Sequence, residues 1–178
     1  MHHVHFLVAV CNRRVSKLAK LLAEALDQPP EWQHQIREAA PLHDLGKLWV
    51  PDEILEKPGP LTEEEYEEVK KHTLVGASLL SGGGSAPVQM AERIARSHHE
   101  RWDGQGYPDG LTGKEIPLSA RIVAVADAFD ALTHDRPYRD ALPVEKAFSI
   151  IDAQSGAQFD PQVSDAALRR RAEMTALV

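Results

Sequence analysis

Hydrophobic positions recur with helical spacing along almost the whole chain. In the first segment they form a stripe at intervals of three and four residues, made of Cys11, Val15, Leu18, Leu22 and Leu26. Such a stripe is typical of an amphipathic helix with one face in a core. Pro29 and Pro30 end this helix. No alternating pattern long enough for a β-strand occurs, so the chain is predicted to be all-α.

A second helix is predicted after these prolines, kinked or broken at Pro41, because proline lacks the N–H that an internal helical position needs. One face of it carries Ile36, Ala40, His43 and Lys47. A third helix begins with a capping box at Thr62 and Glu65 and is expected to reach about Leu80. Its inner face is expected to hold Val69, His72, Gly76 and Leu79.

A long segment without helical periodicity separates the next two helices. A fourth helix is predicted over about 87–98, and a strongly apolar one over 118–133 with Phe129 on its core face. Between them, residues 99–117 contain four glycines and two prolines. A loop of this length inside a compact domain is usually functional.

The C-terminal third predicts two more helices. Pro143 and Gly156 bracket one, and Asp160 with Pro161 starts the other as cap and first helical residue. We therefore expect one all-α domain of six or seven helices over residues 1–178, with residues 1–5 disordered and no sensor domain. Trp49 is expected in or near the core.

Composition narrows the class of protein. The chain is 43% hydrophobic and 26% charged over 178 residues, which excludes a disordered chain or a fibre. A net charge of −7 gives no general attraction to a nucleic acid polymer or a membrane surface. The single cysteine, Cys11, favours a reducing compartment, so a cytoplasmic protein is expected. Apolar stretches are far shorter than the roughly 20 residues of a membrane span.

Histidine is the unusual component, with nine residues in the chain. Four of them and three aspartates form a set of candidate ligands in or beside predicted helices. The set comprises His43, Asp44, His72, His98, His99, Asp127 and Asp130. Each has an ordinary explanation alone, such as a hydrogen-bonded core histidine. Together they are better explained by one polynuclear metal site, because divalent metals take imidazole and carboxylate ligands and a cation removes the cost of burying a carboxylate. Such a site suits phosphodiester hydrolysis by a metal-bridging hydroxide.

Six motifs in a fixed order resemble the HD-GYP family, the cyclic di-GMP phosphodiesterases among the HD metal-dependent phosphohydrolases. They are His43-Asp44-Leu45-Gly46-Lys47, His72, His98-His99-Glu100, Asp103-Gly104-Gln105-Gly106-Tyr107-Pro108, Ala126-Asp127-Ala128-Phe129-Asp130-Ala131-Leu132 and Arg136-Pro137-Tyr138-Arg139. The resemblance covers about residues 14–161. The Gly-Tyr-Pro segment is what selects this family among the HD proteins.

The resemblance implies two divalent metal ions, usually iron or manganese. Asp44 would bridge them and carry catalysis, with His43 and Asp127 completing one metal site. The other metal would be held by His72, His98 and His99.

The resemblance also implies a substrate-binding set. Lys47, Arg136 and Arg139 would meet phosphate, with Lys47 also acting in catalysis. Asp130 would orient that end of the site, and Tyr107 would shape the mouth of the pocket.

The first helix departs from the family, which has a histidine in a pattern resembling His-x-x-Arg-Val. Here Arg14 and Val15 match its end, but Cys11 takes the histidine position and Leu7 replaces a glutamate that holds a third metal in some members. Two interpretations of Cys11 stay open: a thiolate ligand, or a small apolar core residue, which its place on the stripe favours slightly. Either predicts a lower metal affinity and weak activity.

Three functions remain as alternatives. The first is hydrolysis of cyclic di-GMP to linear pGpG or GMP, and the second is hydrolysis of another cyclic dinucleotide or a nucleotide. The third is a weak or inactive module that binds nucleotide or a partner such as a diguanylate cyclase domain. A sensor or receiver domain acting in trans is a further expected partner.

Overall fold

The computed structural model describes residues 2–135 and 140–178, and the side chains within these ranges from residue 13 onward. Arg136 and Arg139 therefore lie outside the described residues, as do the side chains of Leu7 and Cys11.

The regular structure of the described residues is helical, and the predicted all-α class is confirmed. The α-helices are α1 (His2–Ala25), α2 (Pro30–Ala39), α3 (Asp52–Leu55), α4 (Glu63–Lys70), α5 (His72–Leu80), α6 (Ala86–Ser97), α7 (Leu118–Thr133), α8 (Val144–Ala153), α9 (Pro161–Arg169) and α10 (Arg171–Thr175). The 3-10 helices are Ala40–Leu42, Leu45–Trp49 and Gly113–Glu115. Within the described part of the chain, β-structure is limited to one isolated bridge between Ser155 and Phe159.

The number of helices exceeds the predicted six or seven because two predicted helices are divided, into α4 with α5 and into α9 with α10, and short segments were missed. The first division falls at Lys71, whose N–H donates to the Glu68 carbonyl in a tightened turn. There the His72 Nδ1 and the Thr73 hydroxyl take up the carbonyls of Val69 and Lys70, at 2.7 and 2.9 Å. Side chains that compete for helical carbonyls in this way favour a break.

Pro41 interrupts the second predicted helix as expected. Helix α2 ends at Ala39, and the chain continues through the 3-10 helix Ala40–Leu42 into a turn. His43 and Lys47 therefore lie on this turn and on the next 3-10 helix, and they do not share one helical face with Ile36 as predicted.

The core is centred on α7, which packs on α1, α6, α8 and α9, while α2 packs on α1 and α6. The stripe predicted for α1 is confirmed from Val15 to Leu22, where the inner side chains are fully buried. Phe129 of α7 packs on Phe148 of α8 with ring centroids 4.8 Å apart. Among the described residues, no helix combines the length and the apolar character that crossing a membrane requires.

Two residues that were predicted to be buried are exposed. Leu79 is 47% exposed, because the inner face of α5 is centred on Gly76, which contacts Gly46 and Ala95. Trp49 is 65% exposed at the end of its 3-10 helix.

The contact between Gly46 and α5 positions the site. A side chain at Gly46 would place its Cβ 1.9 Å from the His72 carbonyl oxygen, which is sterically impossible. The missing side chain lets the turn that carries Asp44 lie directly against the first residues of α5.

Candidate metal centre

Four potential metal ligands converge on one point. Asp44, His72, His98 and His99 each offer a ligand atom, and these atoms all lie within 4.8 Å of one another. They come from the turn after the first 3-10 helix, the start of α5 and the end of α6. The close packing of Gly46 on α5 and of α5 on α6 brings these segments together.

Backbone carbonyls fix the orientation of three imidazole rings. The Nδ1 atoms of His43, His72 and His98 lie 2.8, 2.7 and 3.0 Å from the carbonyl oxygens of Ala40, Val69 and Ile94. A carbonyl can only accept, so each Nδ1 carries a proton, and in the neutral ring Nε2 then presents a lone pair. This is the usual arrangement of histidines that ligate a metal through Nε2.

The Nε2 atoms surround the carboxylate of Asp44. His72 Nε2 lies 3.4 Å and His98 Nε2 3.7 Å from Oδ1, while His43 Nε2 lies 3.5 Å from Oδ2. Asp44 Oδ1 is buried without a hydrogen-bond partner. Lone pairs of nitrogen and oxygen thus face one another at this point, and a cation between them would turn the repulsion into attraction. The donor set therefore fits a divalent metal ion.

Burial keeps the His72 and His99 imidazoles neutral. It lowers the pKa of His72 from 6.5 to about 4 and also moves the pKa of His99 downward, against the attraction of Asp44 in both cases. Burial alone would raise the pKa of Asp44, but His43 and Lys47 outweigh it and hold the pKa well below its usual value. At neutral pH His72 and His99 are therefore neutral nitrogen donors beside an ionised Asp44, which is the state that binds a metal.

His43 and Asp127 lie beside this group. His43 Nε2 is 3.7 Å from Asp127 Oδ1, and the Asp127 side chain is 27% exposed on α7. Asp44 stands between the two sets, since its Oδ1 faces His72 and His98 and its Oδ2 faces His43. Lys47 Nζ contacts the same Oδ2 at 2.5 Å.

The Gly/Pro-rich loop covers one side of the centre. The Tyr107 ring stacks on His99, with centroids 4.8 Å apart and an angle of 24° between the planes. Tyr107 and His99 line a pocket of about 470 Å³ that also reaches Asp127. Burial raises the pKa of Tyr107, so its hydroxyl stays protonated and can donate a hydrogen bond into this pocket.

Glu100 organises the loop, a role that the motifs did not indicate. Its carboxylate is 3% exposed and accepts from the backbone N–H groups of Asp109 and Leu111 at 2.7 and 3.0 Å. Gly106 lies directly above it, and a Cβ there would be 2.5 Å from the Glu100 Cα. The sequence indicates this role only by the position of Glu100 directly after the candidate ligands His98 and His99.

Asp130 is placed differently from the expected substrate contact. It is fully buried on α7 and accepts from Arg14 Nε of α1 at 2.5 Å. His134 Nδ1 lies 3.4 Å from the same oxygen. Asp130 is not among the residues that line the pocket. The contact with Arg14 joins two core helices and was not foreseen.

Residues 3–163 match the family model described as HD domain. A cyclic di-GMP phosphodiesterase response regulator from Xanthomonas campestris, RpfG, is 51% identical over 161 residues, which cover 90% of this chain and 43% of that protein. A 3'3'-cGAMP-specific phosphodiesterase from Vibrio cholerae is 39% identical over 165 residues, covering 93% of this chain and 32% of that protein. This chain thus spans less than half the length of these curated relatives.

The fold also matches a solved structure, the HDG"Y"P protein Bd1817 from Bdellovibrio bacteriovorus. The TM-score is 0.70 at 24% identity, and the match covers 89% of this chain and 50% of that one. This likeness concerns the helical architecture.

Proposed function

Because the chain belongs to the HD domain family, as the motifs indicated, we propose that it is a metal-dependent phosphodiesterase. Its proposed substrate is cyclic di-GMP, which it would hydrolyse to linear pGpG, GMP or both. The relative named for this substrate is half identical over nine-tenths of the chain, which supports the choice of substrate. The relative specific for 3'3'-cGAMP is less similar, so that dinucleotide is the second candidate.

The observation that carries the proposal is the unsatisfied oxygen of Asp44. A buried carboxylate oxygen without a hydrogen-bond donor costs several kcal/mol unless a cation compensates it. Here the surrounding groups are imidazole Nε2 atoms, and the Nδ1 protons of these rings are held by backbone carbonyls away from it. Such a cluster is unfavourable as a structural feature and favourable as a metal site.

We assign His43 and Asp127 to one ion and His72, His98 and His99 to a second, with Asp44 shared between them. Bound divalent ions, iron or manganese in this proposal, would polarise a phosphoryl oxygen and supply a nucleophile from water at neutral pH. A softer ligand at Cys11, or a water in its place, would weaken the first of these sites.

The protein's own residues then bind and orient the diester. Lys47 contacts Asp44, and it remains a proposed phosphate contact, because a charged amine can bind a phosphate oxygen as a point charge. Tyr107 offers a protonated hydroxyl at the pocket wall. Arg136 and Arg139 remain proposed phosphate contacts outside the described residues. For Asp130 the proposed role changes from substrate contact to anchor of α1 through Arg14.

The test is an anaerobic assay of the protein loaded with iron(II) or manganese(II), with cyclic di-GMP as substrate and products separated by chromatography. We expect linear pGpG, GMP or both, and loss of product in the variant His72→Ala. The matched control is His34→Ala, since His34 is exposed and pairs only with Glu38 on its own helix among the described contacts.

Normal metal content with no product from cyclic di-GMP would contradict the proposal. Product from 3'3'-cGAMP alone would assign the second substrate. Binding without turnover would support the third alternative, a module that binds nucleotide or a diguanylate cyclase domain. A cytoplasmic location and a sensor or receiver partner in trans remain predictions.

A further inference from the structure

Helix α4 presents an aromatic residue whose position is not explained by core packing. None of the eight side chains of α4 is fully buried, and Tyr66 is 45% exposed. A large aromatic side chain that stays exposed on a short outer helix leaves apolar surface that a ligand can cover. The sequence patterns gave Tyr66 no role.

Tyr66 lines the same pocket as the ligands His98, His99 and Asp127. The rings of Tyr66 and Tyr107 make a T-shaped contact, with centroids 6.4 Å apart and an angle of 80° between the ring planes. Tyr107 in turn stacks on His99. A continuous row of three rings thus leads from a candidate metal ligand to α4. One face of Tyr107 is covered by His99, so the exposed ring surface of the row belongs mainly to Tyr66.

The ammonium group of Lys70 lies over two of these rings. Its Nζ is 4.8 Å from the centroid of Tyr66 and 5.6 Å from that of Tyr107. Glu67 holds the ammonium at 2.6 Å. An ammonium group has three N–H donors, so this contact leaves donors for a ligand.

We propose that Tyr66 and Lys70 recognise a guanine base of the substrate, with the base stacked on the Tyr66 ring and the Lys70 ammonium donating to the O6 and N7 acceptors. This inference rests on the proposed function and adds a specificity-determining pair to it. Guanine presents two adjacent acceptors on this edge, whereas adenine presents one acceptor and one donor. Lys70 therefore favours guanine over adenine.

The neighbouring Lys71 provides a matched control. It is bonded to Glu68 at 2.5 Å, just as Lys70 is bonded to Glu67 three residues earlier. Both pairs lie on the surface of the same short segment. Of these two lysines, Lys70 is the one placed over the two tyrosine rings.

The experiment measures KM and kcat for cyclic di-GMP, and the inhibition constant of cyclic di-AMP, in the metal-loaded protein. Tyr66→Ala is expected to raise KM about tenfold, since stacking of one base on an aromatic side chain is worth roughly that or more. kcat and metal content should change less than about twofold. Tyr66→Phe keeps the ring and should restore most of the affinity.

Lys70→Met is expected to raise KM for cyclic di-GMP about tenfold while the inhibition constant of cyclic di-AMP changes much less. Lys71→Met should leave both constants at their original values. Equal effects of the two lysine changes, or equal effects on the two dinucleotides, would overturn the role of Lys70. An unchanged KM in Tyr66→Ala would overturn the role of Tyr66.

Calorimetric titration with cyclic di-GMP separates this inference from the proposed function. If the original protein binds the dinucleotide without turnover, the same ratios are measured as dissociation constants, and only the hydrolysis is refuted. If it does not bind cyclic di-GMP at all, both proposals are wrong.

Discussion

Two carboxylates in the molecule, those of Asp130 and Asp44, differ in how their charge is compensated. Asp130 is fully buried, and Arg14 of another helix supplies its counter-charge at 2.5 Å. Asp44 receives Lys47 on one oxygen, but its second oxygen is buried among imidazole nitrogens without a donor. The fold itself compensates the first carboxylate and leaves the second incompletely compensated.

This difference separates a structural charge from a functional one. A buried ion pair between two helices is costly to break, because the remaining partner is left without its counter-charge. A carboxylate oxygen buried without a donor is costly as long as nothing binds it, and proteins retain such costs mainly at functional sites. The comparison predicts different consequences for changes at the two positions.

The largest effect is expected for Asp44→Asn. Activity should fall more than 100-fold, beyond the roughly 10- to 100-fold typical of groups that only orient a metal ligand. Metal content measured by mass spectrometry should fall with it. Metal content that persists in Asp44→Asn would contradict the role of Asp44 as a ligand.

The reverse pattern is expected for Asp130→Asn. The loss of the charge opposite Arg14 should lower the free energy of unfolding by about 3 kcal/mol, the lower end for a broken buried pair, since the Arg14 side chain is 22% exposed. Denaturant unfolding measures this loss, while the metal content should persist.

The double variant Arg14→Met with Asp130→Leu sharpens this prediction. Replacing both charges by apolar groups should destabilise less than either single change. Additive losses would show that the two residues do not act as a pair.

A smaller effect is expected from acidification of the metal-free protein. Burial lowers the pKa of His72 from 6.5 to about 4, so between these values the unfolded chain binds a proton that the folded chain does not. Stability should therefore fall as the pH decreases through this window. Melting temperatures in chelator between pH 7.5 and 4.5 measure the slope, and His72→Phe should reduce it. A flat profile would contradict the neutral, buried state of this imidazole.

Long periodic segments were predictable from the sequence because the local pattern specifies them. Helix α7 has the predicted bounds Leu118–Thr133, and the capping box of Thr62 and Glu65 starts α4 as expected. The 3-10 helix Leu45–Trp49 and the four-residue α3 were missed. Segments this short depend on tertiary contacts, such as that of Gly46 with α5, and no periodicity reports them.

The candidate ligands could be named from motifs, but their supporting contacts could not. Arg14 and Asp130 are 116 positions apart, and nothing local to either residue indicates the other. Glu100 and Tyr66 act through a loop and an outer helix whose paths depend on the whole fold. The types of side chain in a site are therefore easier to infer than the residues that hold them.

The direct succession of His98, His99 and Glu100 ties two tasks to one short piece of backbone. The histidines face the candidate metal centre, while the adjoining carboxylate binds the backbone of the loop that carries Tyr107. A displacement of this tripeptide would alter chelation and the shape of the entrance at once. Substitutions meant to alter ligand preference are therefore better placed at the more distant rim of the pocket than in this tripeptide.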